Sequence, residues 1–246
     1  MHYQPQLDLH SGAILRCEAL LRWRHPEFGL LSPYASLTGT RWADDISGLE
    51  GWAAAEVCRQ GARWDEHGLP VQIALNVSAS FLLRPRFVSS LEQELDRSGL
   101  SPYLLAIDLP VRGLATSTHR MEQVAGALTD TGIGVIIDGV GAMGVSRLGS
   151  LGAEGWKIDL GRPGPVRAGL HPSVGVAVEE AHKAGARAIA KAVEDDARLA
   201  EVRALGFDEV FGNVVSPPLS GRAARDEFRP APPRIRSPFG PSPTER

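Results

Sequence analysis

The segment Glu18-Ala19-Leu20-Leu21-Arg22-Trp23 decides the fold, because Glu18 is the first of several polar side chains that end successive predicted strands. The other polar residues at or near the ends of later apolar runs are Asn76, Asp108, Asp138, Lys157 and Lys191. Strands that each deliver one polar group to a common rim form the active-site arrangement of a (β/α)₈ barrel. The sequence therefore predicts one polar site assembled from several strands.

Strand-like and helix-like segments alternate along the chain. Strand patterns cover residues 2–9, 13–21, 71–77, 104–109, 134–139, 156–160, 187–193 and 209–213. Helical periods lie between the later strands, and this alternation predicts βαβ units with a largely parallel sheet. Ser11-Gly12 separates the first two strands and indicates a hairpin. The predicted fold class is α/β, a TIM-like (β/α)₈ barrel with one antiparallel strand from this N-terminal hairpin.

Length and charge exclude several classes of protein. The 246 residues suit one barrel domain, and 43% hydrophobic residues suffice for a core. A net charge of −3 argues against a nucleic-acid partner. No apolar run is long enough to span a bilayer, and the polar N-terminal residues do not form a signal peptide. Cys17 and Cys58 lack metal-ligand spacing, so we expect buried thiols in a cytoplasmic protein.

Composition divides the chain into a barrel and a tail. Residues 1–228 are predicted to form the barrel. Residues 229–246 contain six prolines and four arginines, and we expect this tail to be disordered. Within the barrel, the polar and weakly patterned stretch from Ser32 to Ser47 is predicted to be an irregular loop.

The motif Glu18-Ala19-Leu20-Leu21-Arg22-Trp23-Arg24-His25-Pro26 resembles the signature of the EAL family, the cyclic di-GMP phosphodiesterases of bacterial second-messenger signalling. Asn76-Val77-Ser78 and Lys157-Ile158-Asp159 are further matches in the same order. The resemblance runs from Tyr3 to about Leu219. The family has a helix before its first strand, and this chain begins in that strand, so an N-terminal helix or a fused upstream signalling domain is expected to be missing.

The resemblance implies a metal-dependent site. In the family, two divalent cations activate a water that hydrolyses cyclic di-GMP to the linear dinucleotide, a two-metal reaction. The residues that match metal ligands are Glu18, Asn76, Asp108 and Asp138, with an aspartate at 108 where a glutamate is usual. Lys157 matches the lysine that positions the water or stabilises phosphate charge, so Glu18 and Lys157 stand for the catalytic pair. Residues Gln4, Leu20 and Arg22 match substrate contacts. Oxygen ligands of this kind suit Mg²⁺ or Mn²⁺.

Several positions depart from the family pattern. Gly139 replaces the second of two paired aspartates, Lys191 replaces a glutamate that serves in metal binding and water activation, and Phe211 replaces a glutamine. Leu37-Thr38-Gly39-Thr40 has lost residues that flank a guanine in the family, and Ser80-Phe81 replace an Arg-Gln pair. These degenerate positions predict that one cation binds or none.

Some of these residues have purely structural roles as alternative interpretations. Asn76 and Asp108 could cap the following helices or bind loop amides. Arg22 could pair with a carboxylate of the barrel. For Lys191 we favour a structural role, in which its ammonium neutralises a carboxylate cluster that would otherwise need metal.

The sequence therefore predicts a degenerate EAL domain in cyclic di-GMP signalling. It would act as a nucleotide receptor with weak affinity or as a protein-interaction module with a protein partner. The alternatives are a weakly active metal-dependent phosphodiesterase and a scaffold that binds no nucleotide.

Overall fold

A computed structural model describes residues 1–31, 43–111, 118–141, 145–160 and 170–228. The strands are β1 His2–Asp8, β2 Ile14–Leu20, β3 Trp23–His25, β4 Gly29–Leu31, β5 Gln72–Asn76, β6 Leu105–Pro110, β7 Gly134–Val140, β8 Gly155–Ile158, β9 Arg187–Ala190, β10 Glu209–Val210 and β11 Leu219–Ser220. The helices with described bounds are α1 Ala43–Glu66, α2 Ala79–Leu82, α3 Phe87–Ser98, α4 Thr118–Asp130, α5 Pro172–Lys183, α6 Asp196–Ala204 and α7 Gly221–Glu227. Two 3₁₀ segments cover Pro102–Leu104 and Val145–Leu151.

Eight strands close into a barrel. Strands β2 and β5 to β10 run parallel in chain order, and β1 pairs antiparallel with both β2 and β10. The short β11 pairs antiparallel with the first residues of β1, and β3 and β4 form a separate hairpin. The predicted TIM-like barrel with one antiparallel strand is confirmed. Each of the eight predicted strand regions contains or overlaps a barrel strand.

Helix α1 corrects one sequence expectation. The loop predicted from Ser32 to Ser47 is wrong at residues 43–47, which are helical, and residues 32–42 lie outside the described ranges. Acidic residues are favourable in the first turn of a helix, so local polarity did not distinguish a loop from a helix start. The predicted tail, residues 229–246, also lies outside the described ranges and stays a prediction. No described helix is long and apolar enough to cross a membrane.

The period of two residues along a strand sorts the side chains into an inner and an outer face. Outward residues such as Ile73, Ile107 and Val135 are 0% exposed and pack in the main core with the helices. Inward residues form three levels. The middle level is a separate apolar cluster that includes Ala74, Ala106, Ile136 and Ile189. Polar groups occupy the levels above and below it.

The lower level lies at the amino-terminal ends of the parallel strands. It is a network of polar and charged side chains, which we call the amino-terminal network, formed by Gln6, Asp8, Arg16, Gln72, Glu154, Arg187 and Glu209. Arg16 donates through Nη2 to Glu154 Oε1 at 2.8 Å, and Arg187 donates to both Asp8 and Glu209. Asp8 also accepts from the backbone N and the hydroxyl of Ser11 at 2.6 and 2.7 Å. The network fastens β1 to β9 and β10, where the barrel closes.

Asp8 gives the network a defined pH dependence. Burial alone raises the pKa of Asp8, but hydrogen bonds from Ser11 and Arg187 outweigh it and lower the pKa from 3.8 to about 2. A group with a depressed folded pKa stabilises the fold above its unfolded pKa and loses that contribution as the pH falls through the folded value.

We therefore expect Asp8→Asn to lower the free energy of unfolding by about 2 kcal/mol at neutral pH. The difference from the wild type should shrink as the pH falls from 4 toward about 2. Urea unfolding at several pH values measures this, with the exposed Asp96→Asn on α3 as control. A difference that stays constant over this pH range would contradict the assignment.

Candidate functional site

The upper level of the barrel gathers the polar residues that the sequence singled out. They project inward at the carboxyl-terminal ends of β2 and β5 to β9, which we call the rim. The strand register sets Asn76 beside Asp108 and Asp138 beside Lys157, and Gln4 of the antiparallel β1 lies beside Glu18. Lys191 directly follows the last residue of β9. A shared inward face brings residues from six strands together.

Lys157 lies at the centre of the rim. Its side chain is fully buried, and Nζ donates to Glu18 Oε2 at 2.8 Å and to Asp108 Oδ2 at 2.5 Å. The ring of Phe211 lies with its centroid 5.1 Å from Nζ, a cation–π distance. Burial lowers the pKa of Lys157, but the charges of Asp108, Glu18 and Asp138 outweigh it and raise the pKa above its ordinary value. Lys157 is therefore a charged structural centre without access to solvent.

The two carboxylates beside Lys157 differ in their environments. Burial raises the pKa of Glu18, but Lys157 and a 2.7 Å hydrogen bond from Asn76 Nδ2 to Glu18 Oε1 bring it below its ordinary value. Burial dominates at Asp108, where the nearby charge of Glu18 adds to it and the pKa rises to about 6 despite Lys157. Asp108 Oδ1 is buried and finds no hydrogen-bond partner within the described ranges.

Lys191 makes a second ion pair at the rim. Its Nζ donates to Asp138 Oδ1, and the two side chains are 30% and 26% exposed. The backbone turns sharply after it, because Ala192 has a φ of 58°, a left-handed conformation that costs a residue with a Cβ about 1 kcal/mol. Glycine is required at the neighbouring Gly212, where a Cβ would overlap the backbone of Val193.

The residues of the rim do not fit the two-cation site that the resemblance implied. Gly139 carries no side chain. Both carboxylate oxygens of Glu18, Oδ2 of Asp108 and Oδ1 of Asp138 accept hydrogen bonds from lysines or from Asn76. No three His, Cys, Asp or Glu side chains group as a metal site in the part of the chain that the structure describes. The donor set is thus neutralised by ammonium groups instead of being open to cations.

A cavity of about 370 Å³ lies beside the rim. Its lining includes Glu18, Leu20, Arg22, Asn76 and Pro110. The Arg22 guanidinium donates to the carbonyl of Leu21 at 2.9 Å and pairs with no carboxylate among the described residues. The alternative in which Arg22 pairs with a barrel carboxylate is therefore not observed in this structure. A cavity lined by a guanidinium with donors left over and by apolar walls can hold a phosphate next to an apolar or aromatic group.

Two further residues singled out by the resemblance, Gln4 and Phe81, have side chains that contact other parts of the protein. Gln4 Nε2 donates to the carbonyl of Ser216 at 3.1 Å. Phe81 packs on the ring of Phe87, with centroids 5.4 Å apart. The segment Leu37-Thr38-Gly39-Thr40 and residues 142–144 of the loop after Gly139 lie outside the described ranges. The two buried cysteines are free thiols, as expected.

Glu50 is a residue of the cavity wall that the sequence did not single out. Its buried carboxylate accepts from Ser78 N at 2.6 Å and from Ser78 Oγ at 3.0 Å. Ser78 follows Asn76 and caps the short helix α2. The available signal was a carboxylate on the apolar stripe that continues through Ala53, Ala54 and Val57 of α1. Glu50 therefore fixes the segment that carries Asn76.

Curated relatives match most of this chain. MucR of Pseudomonas aeruginosa, a bifunctional diguanylate cyclase/cyclic di-GMP phosphodiesterase, is 29% identical over 227 residues, which are 89% of this chain and 33% of MucR. The cyclic di-GMP phosphodiesterase NbdA of the same organism is 28% identical over 233 residues, which are 93% of this chain and 30% of NbdA. The chain thus spans about a third of the length of each of these relatives.

A solved structure and a family model agree with these relatives. The structure of the PaMucR phosphodiesterase in complex with c-di-GMP superposes with a TM-score of 0.82 at 27% identity, covering 90% of this chain and 92% of that one. The family model for the EAL domain matches residues 1–218. Because that match covers most of the barrel, including every rim residue, this chain belongs to the EAL domain family.

Proposed function

We propose that this chain is a catalytically degenerate EAL domain that acts in cyclic di-GMP signalling as a non-hydrolysing receptor for the nucleotide. The observation that carries the proposal is the pairing of Lys191, which stands where the family has a glutamate, with Asp138, a carboxylate that a metal ion would need. Lys157, which the family also has, pairs with Glu18 and Asp108. The ammonium groups supply the positive charge that holds the rim together. The cavity beside the rim keeps residues suited to a nucleotide.

The charge of the rim opposes a pair of divalent cations. Glu18, Asp108 and Asp138 are the carboxylates that contact Lys157 and Lys191. Two divalent cations beside two ammonium groups would place six positive charges against these three carboxylates. Without the second cation and the glutamate replaced by Lys191, water activation is lost. General-base assistance alone typically contributes about 10²–10⁴-fold to a rate.

The cavity supports retained nucleotide binding with reduced affinity. Arg22 is partly buried, lines the cavity and has no carboxylate partner in the described part of the chain. Its guanidinium can therefore donate hydrogen bonds to a phosphate. Lys157 does not assist, because its fully buried Nζ binds Glu18 and Asp108 and lies beside the Phe211 ring inside the barrel. Phe81, part of the pair that replaces Arg-Gln of the family, packs its ring against Phe87.

A protein-interaction module without nucleotide binding is the second candidate. The observation that favours it is the β3–β4 hairpin, where Trp23, Phe28 and Leu30 are 45%, 69% and 48% exposed. The rings of Trp23 and Phe28 both lie 4.8 Å from the ring of His25, which makes the exposed surface continuous. Contiguous apolar surface on a soluble domain is typical of contact sites for partner proteins or fused domains.

A weakly active phosphodiesterase is the remaining alternative. A single Mg²⁺ or Mn²⁺ would have to displace Lys157 or Lys191 from its carboxylate, or bind through the unpartnered Asp108 Oδ1. Removing Lys157 from its partners would leave a buried ammonium without compensation, which is strongly unfavourable. The geometry therefore supports the receptor over the enzyme.

The receptor proposal predicts weak, metal-independent binding of cyclic di-GMP. Calorimetric titration should give a Kd in the micromolar range or above, about −8 kcal/mol or weaker, and the same value in EDTA and in Mg²⁺. Arg22→Ala should weaken binding at least tenfold, since a charge-assisted hydrogen bond to phosphate contributes about 1.5–3 kcal/mol. The exposed Arg97→Ala on α3 is the matched control and should bind like the wild type. Absence of binding at millimolar nucleotide would replace the receptor with the interaction module.

The role of Lys191 predicts a charge-reversal phenotype. Lys191→Glu places a second carboxylate next to Asp138 and should destabilise the metal-free protein by roughly 1–3 kcal/mol. The same substitution completes an acidic cluster, so Mg²⁺ or Mn²⁺ should restore its stability. Thermal melts in EDTA and in each cation measure both effects.

Lys183→Glu is the matched control for this charge reversal. Lys183 pairs with Glu180 on the surface of α5, where its side chain is 67% exposed, so its melt should change little and should not respond to cations. A wild-type protein that melts much higher in Mg²⁺, together with a Lys191→Glu variant that melts normally in EDTA, would show that the ammonium does not take the place of a metal.

A further inference from the structure

A second cavity, of about 350 Å³, lies between the C-terminal half of α1 and the helix α7. It shares no lining residue with the cavity beside the rim. Its floor is Trp64, which is 1% exposed and donates through Nε1 to the carbonyl of Gly221 at 3.2 Å. This hydrogen bond and the packing of Trp64 against Phe228 hold the two helices at a fixed separation.

The polar lining of this cavity is basic. It contains Arg63, Arg222, Arg225 and His67 together with the amide of Gln60, and none of its lining residues is acidic. Three guanidinium groups around one concave surface repel each other unless an anion lies among them.

The arginines of the cavity have unused donors. The side chains of Arg63 and Arg222 make no ion pair or hydrogen bond with any residue in the described ranges. Arg225 pairs with its neighbour Asp226, whose Oδ1 lies 3.5 Å from both Nε and Nη2. The buried Nε makes an ion pair there but no hydrogen bond among those residues. The guanidinium donors of Arg63 and Arg222 are therefore available to oxygen acceptors of a ligand, which would replace water at these exposed groups.

We propose that this cavity binds a phosphate-bearing small molecule, held through Arg63, Arg222 and Arg225. Guanidinium groups bind phosphate oxygens in a two-bond fork, and three of them match a group with several negative charges better than a single carboxylate. The cavity volume falls within the range of small-molecule sites and exceeds the need of one phosphate, so a diphosphate or a nucleotide diphosphate fits the space. The site is separate from the proposed cyclic di-GMP cavity and does not depend on it.

Calorimetry on the full chain, with inorganic pyrophosphate as the probe in a phosphate-free buffer, tests this site. We expect saturable binding of one equivalent, weakened about tenfold or more by Arg63→Gln and by Arg222→Gln, since each variant loses charge-assisted hydrogen bonds. Both positions are exposed, so the variants should keep the wild-type circular dichroism. Arg97→Gln is the matched control on α3, and Arg22→Gln tests whether the anion binds in the other cavity.

The variants and probe molecules distinguish results that support the site from results that overturn it. Loss of affinity in Arg63→Gln and Arg222→Gln, with wild-type affinity in Arg97→Gln and Arg22→Gln, supports the site. ADP that binds more tightly than pyrophosphate shows that the ligand extends beyond its phosphates, and equal affinities show that the diphosphate alone is recognised. No saturable binding at millimolar pyrophosphate overturns the proposal, as does binding that only Arg22→Gln weakens. Citrate that binds as tightly as pyrophosphate also overturns it, because the site would then not select phosphate.

Discussion

A lysine without access to solvent keeps its charge only if acceptors surround it, and Lys157 imposes this condition on the whole rim. Its ammonium joins β8 to β2 through Glu18 and to β6 through Asp108. Lys191 repeats the arrangement with Asp138 at a more exposed position. The carboxylates of the rim are therefore held by groups that belong to the chain. A divalent cation would have to compete with contacts that form as the barrel closes.

The alternation of strand residues explains why so much of the rim could be predicted. Every second residue of a barrel strand points inward, so the polar residues ending the apolar runs had to converge once the barrel was recognised. The antiparallel orientation of β1 followed from the hairpin signal at Ser11-Gly12. The same parity applies at the opposite end, where Arg16, Gln72 and Glu209 form the amino-terminal network.

The pairing within the rim could not be predicted from the sequence, because it depends on distances between strands that are far apart in the chain. The sequence predicted that Lys191 neutralises a carboxylate cluster but not which carboxylate it binds, and its observed hydrogen bond is to Asp138. The contact of Phe211 with Lys157 and the support that Glu50 gives to Ser78 also arise only from tertiary packing. A buried carboxylate on an apolar helical stripe was a usable but weak signal.

The degenerate rim requires that ammonium pairing has replaced metal-dependent hydrolysis in this barrel. Incubation of the purified chain with cyclic di-GMP in Mg²⁺ and in Mn²⁺, with chromatographic detection of the linear dinucleotide, tests this claim directly. We expect no product above the rate of a Glu18→Gln variant. This substitution removes the carboxylate charge that pairs with Lys157 and that a bound cation would also need. Metal-dependent turnover by the wild type that Glu18→Gln abolishes would contradict the account.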